Sequence, residues 1–180
     1  MNPHHGRRPD TMAHMLGDRW GVTDDETERH YPCDDFVVAP ALECWRAVDV
    51  SAPPDAVWPW VAQLRVAPYS YDVIDNLGRR SPRRLLGLPE PRVGDNFTST
   101  GGRPRGRIVA LDPGRVLTGT IMGAYLSYVL EPRGQLATRL LLKVAMQSTR
   151  FASALSVGDL VMARRQLLTI KHLAERDSCR

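Results

Sequence analysis

The stretch from residue 95 to residue 147 constrains the fold more than any other part of the chain, because its pattern is that of consecutive short β-strands. Its breaks carry glycine, proline and aspartate, which are turn residues. Turns this short join neighbouring strands antiparallel, so the stretch predicts a meander. The predicted strands lie near residues 95–99, 104–111, 116–122, 124–131 and 135–147.

The last of these strands has the clearest alternation. Arg139, Lys143 and Gln147 punctuate one set of alternate positions. The other set is almost wholly apolar: Thr138, Leu140, Leu142, Val144 and Met146. This pattern predicts a strand with one dry face and one face in water.

A long helix is predicted over residues 153–175, where no proline interrupts apolar positions at helical spacing. This helix is expected to cover the dry face of the meander. A curved sheet packed against a single helix leaves a hollow, and apolar hollows of this kind commonly hold ligands.

The chain before the meander supplies one strand and two helices. Residues 44–51 alternate as a first strand, and the prolines that follow suit the start of a helix. A short second helix is expected over residues 69–76, with Asp75 placed to pair with Arg79. The apolar stripe of the first helix falls at i, i+3, i+4 and i+7: Val57, Trp60, Val61 and Leu64. The whole order predicts an α+β domain.

The first 35 residues are polar and lack a periodic apolar pattern. We therefore expect residues 1–35 to form a poorly ordered or loosely docked extension, and residues 36–176 to form one domain. The total length of 180 residues suits a single domain that needs no disulfide or structural metal for its stability.

Several stretches resemble one known superfamily. VDVSAPPDAVWPWVAQL at 48–64 is similar to the first strand and helix of the SRPBCC, or START-like, proteins that are often described as polyketide cyclase/dehydrase-like. Four further stretches resemble an uncharacterised, largely actinobacterial branch of this superfamily: GVTDDE, YSYDVIDNLGRRSP, VGD at 93–95 and GDLVMARRQLLTIKHLAE.

This resemblance covers residues 21–175. It implies a helix-grip fold: a curved antiparallel sheet of about six strands wrapped around a long C-terminal helix, with two shorter helices after the first strand. It also implies a cavity for a small hydrophobic ligand. It does not imply one chemistry, because the superfamily includes lipid carriers, hormone receptors and aromatase/cyclases.

The densest polar and aromatic cluster, Tyr69, Tyr71, Asp72 and Asn76, is expected at the mouth of the cavity, where it would orient the polar end of a ligand. The alternative is structural, with the tyrosines packed on the sheet and Asp72 acting as a cap or arginine partner. Trp58 is either a lid of the cavity or packed against the N-terminal segment.

Apolar positions on the meander and the last helix serve either as cavity walls or as plain core. Tyr125 and Tyr128 are three apart on one strand, so they point to opposite faces and at most one lines a pocket. The candidate walls are Met122, Tyr128, Leu142, Val144, Val161 and Leu168.

Three functions remain open at this point. The first is a non-catalytic protein that binds a lipid- or polyketide-like molecule. The second is an enzyme that cyclises or dehydrates a polyketide-like chain, with Tyr71 and Asp72 moving protons. The third is a structural or stress-response protein whose cavity is incidental. Hydrolysis through a nucleophile elbow is not expected, because no G-x-S-x-G occurs.

Other partners are not expected. The spacing of His30 and Cys33 does not fit a tetrahedral metal site, so we expect neither a metal nor another cofactor. A net charge of +4 and arginines without interleaved aromatic residues do not favour nucleic acid. Three cysteines without a disulfide spacing suit the cytoplasm, and no apolar run is long enough for a signal peptide or a membrane span. A monomer or homodimer is expected.

Overall fold

The computed structural model describes residues 18–147 and the backbone of residues 152–179, with side chains of the last helix from residue 162 onward. Seven strands form one curved, unclosed sheet in this part of the chain. The strands are β1 (Arg19–Trp20), β2 (Leu42–Val50), β3 (Asn96–Thr100), β4 (Arg103–Asp112), β5 (Val116–Ile121), β6 (Ala124–Pro132) and β7 (Thr138–Met146).

The sheet order is β1-β2-β7-β6-β5-β4-β3. Strands β3 to β7 are the predicted meander, each antiparallel to the next. β7 then pairs with β2, from Val50 opposite Thr138 to Leu42 opposite Met146. This pairing returns the chain to the first predicted strand. β1 lies parallel to β2 and lengthens the sheet at that edge.

The described residues also form four α-helices: α1 (Asp24–Glu28), α2 (Pro54–Ala62), α3 (Asp72–Asp75) and α4 (Ala152–Ser178). Pro54 begins α2, where its missing N–H would have no partner in any case. The predicted second short helix is one turn at α3, and residues Gln63–Val66 form a 3-10 turn directly after α2. The fold class and the order of elements are confirmed.

The main core lies between the inner face of the sheet and helices α2 and α4. The predicted stripe of α2 is buried, with Trp60 and Val61 both 0% exposed. The predicted apolar face of β7 also points into this core. From α4 the core takes Ala163, Leu167, Ile170, Leu173 and Ala174. The long helix therefore lies across the inner face, as the alternation in β7 predicted.

The outer face of β7 is not in water, and the prediction of a wet face is wrong for this strand. All nine of its residues are buried. Residues 18–37 pack over the outer face and place Tyr31 and Cys33 against Leu141 and Ala145 in a second apolar cluster. Tyr31 is 1% exposed and Cys33 is 0% exposed, so this part of the predicted extension is buried against the sheet. The domain boundary at residue 36 stays a prediction.

The two cationic residues on the outer face of β7, Arg139 and Lys143, form ion pairs with acidic residues of the N-terminal segment. Arg139 donates to both carboxylate oxygens of Glu26, from Nε to Oε1 and from Nη2 to Oε2, each at 2.8 Å. These hydrogen bonds lower the pKa of Glu26 below its ordinary value, although burial opposes them. Lys143 Nζ lies 2.6 Å from Asp34 Oδ1 and 2.7 Å from Glu43 Oε1. A buried cation is tolerated at each position because a carboxylate meets it.

The start of α1 fixes Glu26 locally. The Glu26 N–H donates to Thr23 Oγ1, and the Thr23 N–H donates to Glu26 Oε2 at 2.9 Å, which is a capping box. The same carboxylate thus caps a helix and accepts hydrogen bonds from Arg139.

Among the described residues, no helix combines the length and apolarity that a bilayer span requires.

Candidate functional site

A cavity of about 160 Å³ lies between the inner face of the sheet and α4. Eight of its lining residues are apolar: Leu64, Pro68, Phe97, Ile121, Leu126, Leu142, Met162 and Ala163. The polar ones are Ser70, Asp75, Thr98, Thr100, Tyr128 and Gln166. The described side chains of α4 therefore do not fill the space between the helix and the sheet. An engineered apolar cavity of about 150 Å³ holds a benzene molecule, so this one accommodates roughly one ring or a short chain.

One wall of the cavity depends on a glycine. Gly119 lies in β5, and a Cβ added there would stand 1.9 Å from Cδ2 of Phe97. The aromatic ring of Phe97 therefore packs directly on the backbone of β5. Its centroid lies 6.2 Å from that of Tyr128, so the two rings form one continuous aromatic surface.

A hydrogen-bonded bridge crosses the cavity between the sheet and the helix. The Tyr128 hydroxyl donates to Gln166 Oε1, and Gln166 Nε2 donates to the backbone carbonyl of Pro68 at 2.5 Å. All three residues line the cavity. Tyr128 points inward while Tyr125 stacks on Phe36 at the outer face, which confirms the predicted opposition of these two tyrosines.

Asp75, the last residue of α3, brings a carboxyl group to the cavity wall. Burial raises its pKa to about 6, and the charge of Asp72 adds to this, although backbone hydrogen bonds oppose the shift. Its Oδ1 atom is buried and has no hydrogen-bond partner. The expected ion pair with Arg79 does not occur in the described part of the chain.

Thr98 of β3 also lines the cavity, and its Oγ1 is likewise buried without a partner. The hydroxyl of the adjacent Ser99 is satisfied, because it donates to the Arg65 carbonyl at 2.7 Å. Sequence reasoning missed both Asp75 as a cavity residue and Thr98. The only signal for Asp75 was its place in the YSYDVIDN stretch, and its i, i+3 partner Asp72 has a different role.

The predicted cluster around the tyrosines is divided by the structure. Asp72 accepts hydrogen bonds from the Ser81 N–H at 3.0 Å and the Ser81 hydroxyl at 2.5 Å, which anchors the loop after α3. Tyr71 is 39% exposed, with the guanidinium of Arg165 6.0 Å from its ring centroid. Neither residue lines the cavity.

The other two members of that cluster are buried and bonded within the protein. The Tyr69 hydroxyl accepts from Gln63 Nε2 at 2.5 Å, and burial raises its pKa to about 12. Asn76 Oδ1 accepts from the Gly101 N–H at 2.9 Å, and its Nδ2 donates to the Arg79 carbonyl. These contacts join α3 to the β3–β4 turn and so hold Asp75 in place.

Trp58 is not among the described residues that line the main cavity. Its Nε1 donates to Glu90 Oε1 at 2.7 Å, and its ring forms part of a second hollow of about 160 Å³ beneath residues 85–91.

The remaining predicted walls have different positions. Leu142 and Tyr128 line the main cavity, and Val144 lies in the adjoining core. Leu168 is half-buried against that core. Met122 is 77% exposed in the turn between β5 and β6. The side chain of Val161 is outside the described residues.

The described residues contain no group of three histidine, cysteine or acidic side chains that could hold a metal ion. His30 instead contacts Asp35, with Nε2 and Oδ1 2.9 Å apart.

Solved structures share this architecture. A protein from Nitrosospira multiformis matches with a TM-score of 0.52 at 13% identity, over 77% of this chain and 99% of that one. A protein from Arthrobacter aurescens matches with a TM-score of 0.50 at 14% identity, over 76% of this chain and 87% of that one. A Polyketide_cyc-like protein from Corynebacterium glutamicum has a TM-score of 0.44 at 17% identity, over 75% and 92% of the two chains.

No protein-family model matches the sequence, and no curated protein does. At the identities of the solved structures, the likeness shows a shared fold and no particular activity. Together with the sheet order and the position of α4, it shows that the chain has the helix-grip fold that the START-like resemblance predicted.

Proposed function

We propose that this protein binds a small hydrophobic molecule, or the ring-sized end of a lipid- or polyketide-like molecule, in the cavity between the sheet and α4. The observation that carries the proposal is the unfilled space of about 160 Å³ with a mainly apolar wall. Close packing is the rule in protein interiors, and an apolar void forfeits contacts that side chains would otherwise make. A ligand that fills the void restores those contacts.

The direct test is native mass spectrometry of the purified chain, followed by a thermal-shift panel of single-ring and short-chain compounds. Ala163 lines the cavity from α4, so Ala163→Leu places extra side-chain volume inside it. We expect this variant to weaken binding of the best compound by about tenfold or more.

The matched control is His172→Ala, an exposed position on the same helix, which should bind as the native chain does. If no compound shifts the melting temperature, or if Ala163→Leu binds as well as the native chain, the cavity is not a binding site.

A second candidate is an enzyme that dehydrates or cyclises a polyketide-like chain. The observation that favours it is the Asp75 carboxyl group, whose pKa of about 6 lies near the working range of a general acid or base. Tyr71 and Asp72 fit this role less well, because one is half-exposed and the other is bonded to Ser81.

The enzyme hypothesis is tested with poly-β-keto thioesters, by following loss of water or ring closure by mass spectrometry. Asp75→Asn should abolish turnover while the fold and ligand binding persist, whereas Asp72→Asn should chiefly lower stability. Absence of turnover in a native chain that still binds the thioester would leave binding as the function.

A further inference from the structure

The cavity wall holds an unusual pair of oxygen atoms. Among the described residues, Asp75 Oδ1 and Thr98 Oγ1 are the only buried side-chain oxygens without a hydrogen-bond partner, and both belong to residues that line this cavity. Buried polar groups in proteins are nearly always paired, so each exception calls for an explanation.

Other polar groups of the same cavity wall have hydrogen-bond partners within the protein. Tyr128 and Gln166 bond to each other and to the Pro68 carbonyl. Those groups need nothing further from a ligand. Asp75 and Thr98 come from different elements, α3 and β3. Backbone groups of Tyr71 and Asp75 interact with the Asp75 carboxyl group, but its Oδ1 atom and Thr98 Oγ1 have no partner.

The chemistry of the two groups defines what would complete them. A carboxyl oxygen accepts a hydrogen bond, and a threonine hydroxyl both donates and accepts. Above its pKa of about 6 the Asp75 carboxylate only accepts hydrogen bonds, so a ligand that satisfies Oδ1 there must offer an O–H or N–H group. Among the described residues that line the cavity there is no lysine, arginine or histidine, so an anionic ligand would find no counter-charge on them and would face Asp75.

We infer that the ligand is a neutral, ring-sized apolar molecule that carries a hydroxyl or N–H donor, which bonds to Asp75 Oδ1 with Thr98 Oγ1 as its second partner. This inference rests on the proposed function, since it names the chemical class of the molecule bound in that cavity. The apolar wall accounts for the ring, and the two oxygens account for the polar group.

The test compares molecules of matched shape. Phenol, toluene and benzoate have the same ring and differ in the group attached, which is a donor, an apolar methyl or an anion. Isothermal titration of the native chain should show phenol binding about tenfold or more tighter than toluene, with benzoate the weakest of the three.

Three variants locate the preference. Asp75→Leu should bring the ratio of phenol to toluene affinity to about one, and Thr98→Val should reduce it about threefold. His172→Ala is the control, because His172 is an exposed position of α4 outside the cavity lining, and its ratio should equal that of the native chain.

The outcomes separate this inference from the proposed function. Equal binding of phenol and toluene by the native chain overturns the donor requirement and leaves hydrophobic binding intact. Failure of all three probes and of the wider compound panel overturns the binding function itself. The native comparison needs no variant, so it decides the matter even if Asp75→Leu does not fold.

Discussion

At β7 both faces of the sheet are covered, but by opposite means. The inner face is covered by α2 and α4 through apolar contacts, and a cavity remains beneath the helix. The outer face is covered by residues 18–37, and its contacts include the ion pairs of Arg139 and Lys143. β7 belongs to both faces, because its alternate residues serve one or the other.

This difference shows how one strand can support a binding site. Charged pairs on the outer face require defined geometry, since a buried cation without its carboxylate is costly. Apolar contacts on the inner face are non-directional and tolerate an unfilled space. The molecule therefore combines a face specified by ion pairs with a face that leaves room for a ligand, and three experiments address this contrast.

The largest effect is expected at the outer face. Arg139→Leu leaves Glu26 buried without its main partner, so we expect a loss of about 3 kcal/mol in the free energy of unfolding. Urea denaturation measures it. Arg133→Ala is the control, because Arg133 is 58% exposed and lies 3.8 Å from the same carboxylate. Exposed pairs contribute about 0–1 kcal/mol, so a similar loss in both variants would show that the buried pair is not special.

A smaller effect of opposite sign is expected at the inner face. Ala163→Leu adds side-chain atoms where the cavity has space, so it should stabilise the ligand-free chain by about 1 kcal/mol. Ala174→Leu places the same atoms in the filled core of the same helix, where overpacking costs about 1–3 kcal/mol. Thermal and urea unfolding of the pair report the difference. Destabilisation of both to the same extent would mean that the space near Ala163 is not usable.

The subtlest contrast is in the pH dependence of stability, where the two faces have opposite signs. The pKa of Glu26 is lowered from 4.5 in the folded protein, so its contribution is present above that pH and is lost in acid. The pKa of Asp75 is raised from 3.8 to about 6, so the folded state binds the proton more tightly and stability falls as pH rises between these values.

Urea midpoints measured from pH 3 to pH 7.5, a window about these pKa values, test the two signs. Asp75→Asn should remove the decrease in stability as the pH rises to 6. Glu26→Gln should reduce the decrease in stability at acid pH. Asp55→Asn, on the exposed side of α2, is the control and should change neither limb. A decline that persists in Asp75→Asn would assign it to another group.

The sequence predicts the inner half of this molecule well. The stripe of α2, the apolar positions of β7 and the opposition of Tyr125 and Tyr128 follow from periods of 3.6 and 2, which are local properties of the chain. A short turn between two strands is enough to predict that they pair antiparallel. The fold class therefore depends on patterns that neighbouring residues carry.

The outer face could not be predicted in the same way. Arg139 and Lys143 have the pattern of solvent-exposed positions, and only a partner 113 residues away, Glu26 for Arg139, makes burial possible. Asp75 shows the same limit at the site. Asp72 and Asp75 have the same side chain three residues apart, and only the tertiary environment decides that one anchors a loop while the other lines the cavity.

The packing of the N-terminal segment has a consequence for folding during synthesis. Residues 18–37 leave the ribosome early, but Arg139 and Lys143 are made more than a hundred residues later, so the ion pairs with Glu26 and Asp34 cannot form until β7 has been translated. Contacts of such long sequence separation are slow to form. β1 can pair with β2 before then, but the buried cations of β7 meet their carboxylates only when this segment and β7 are both present.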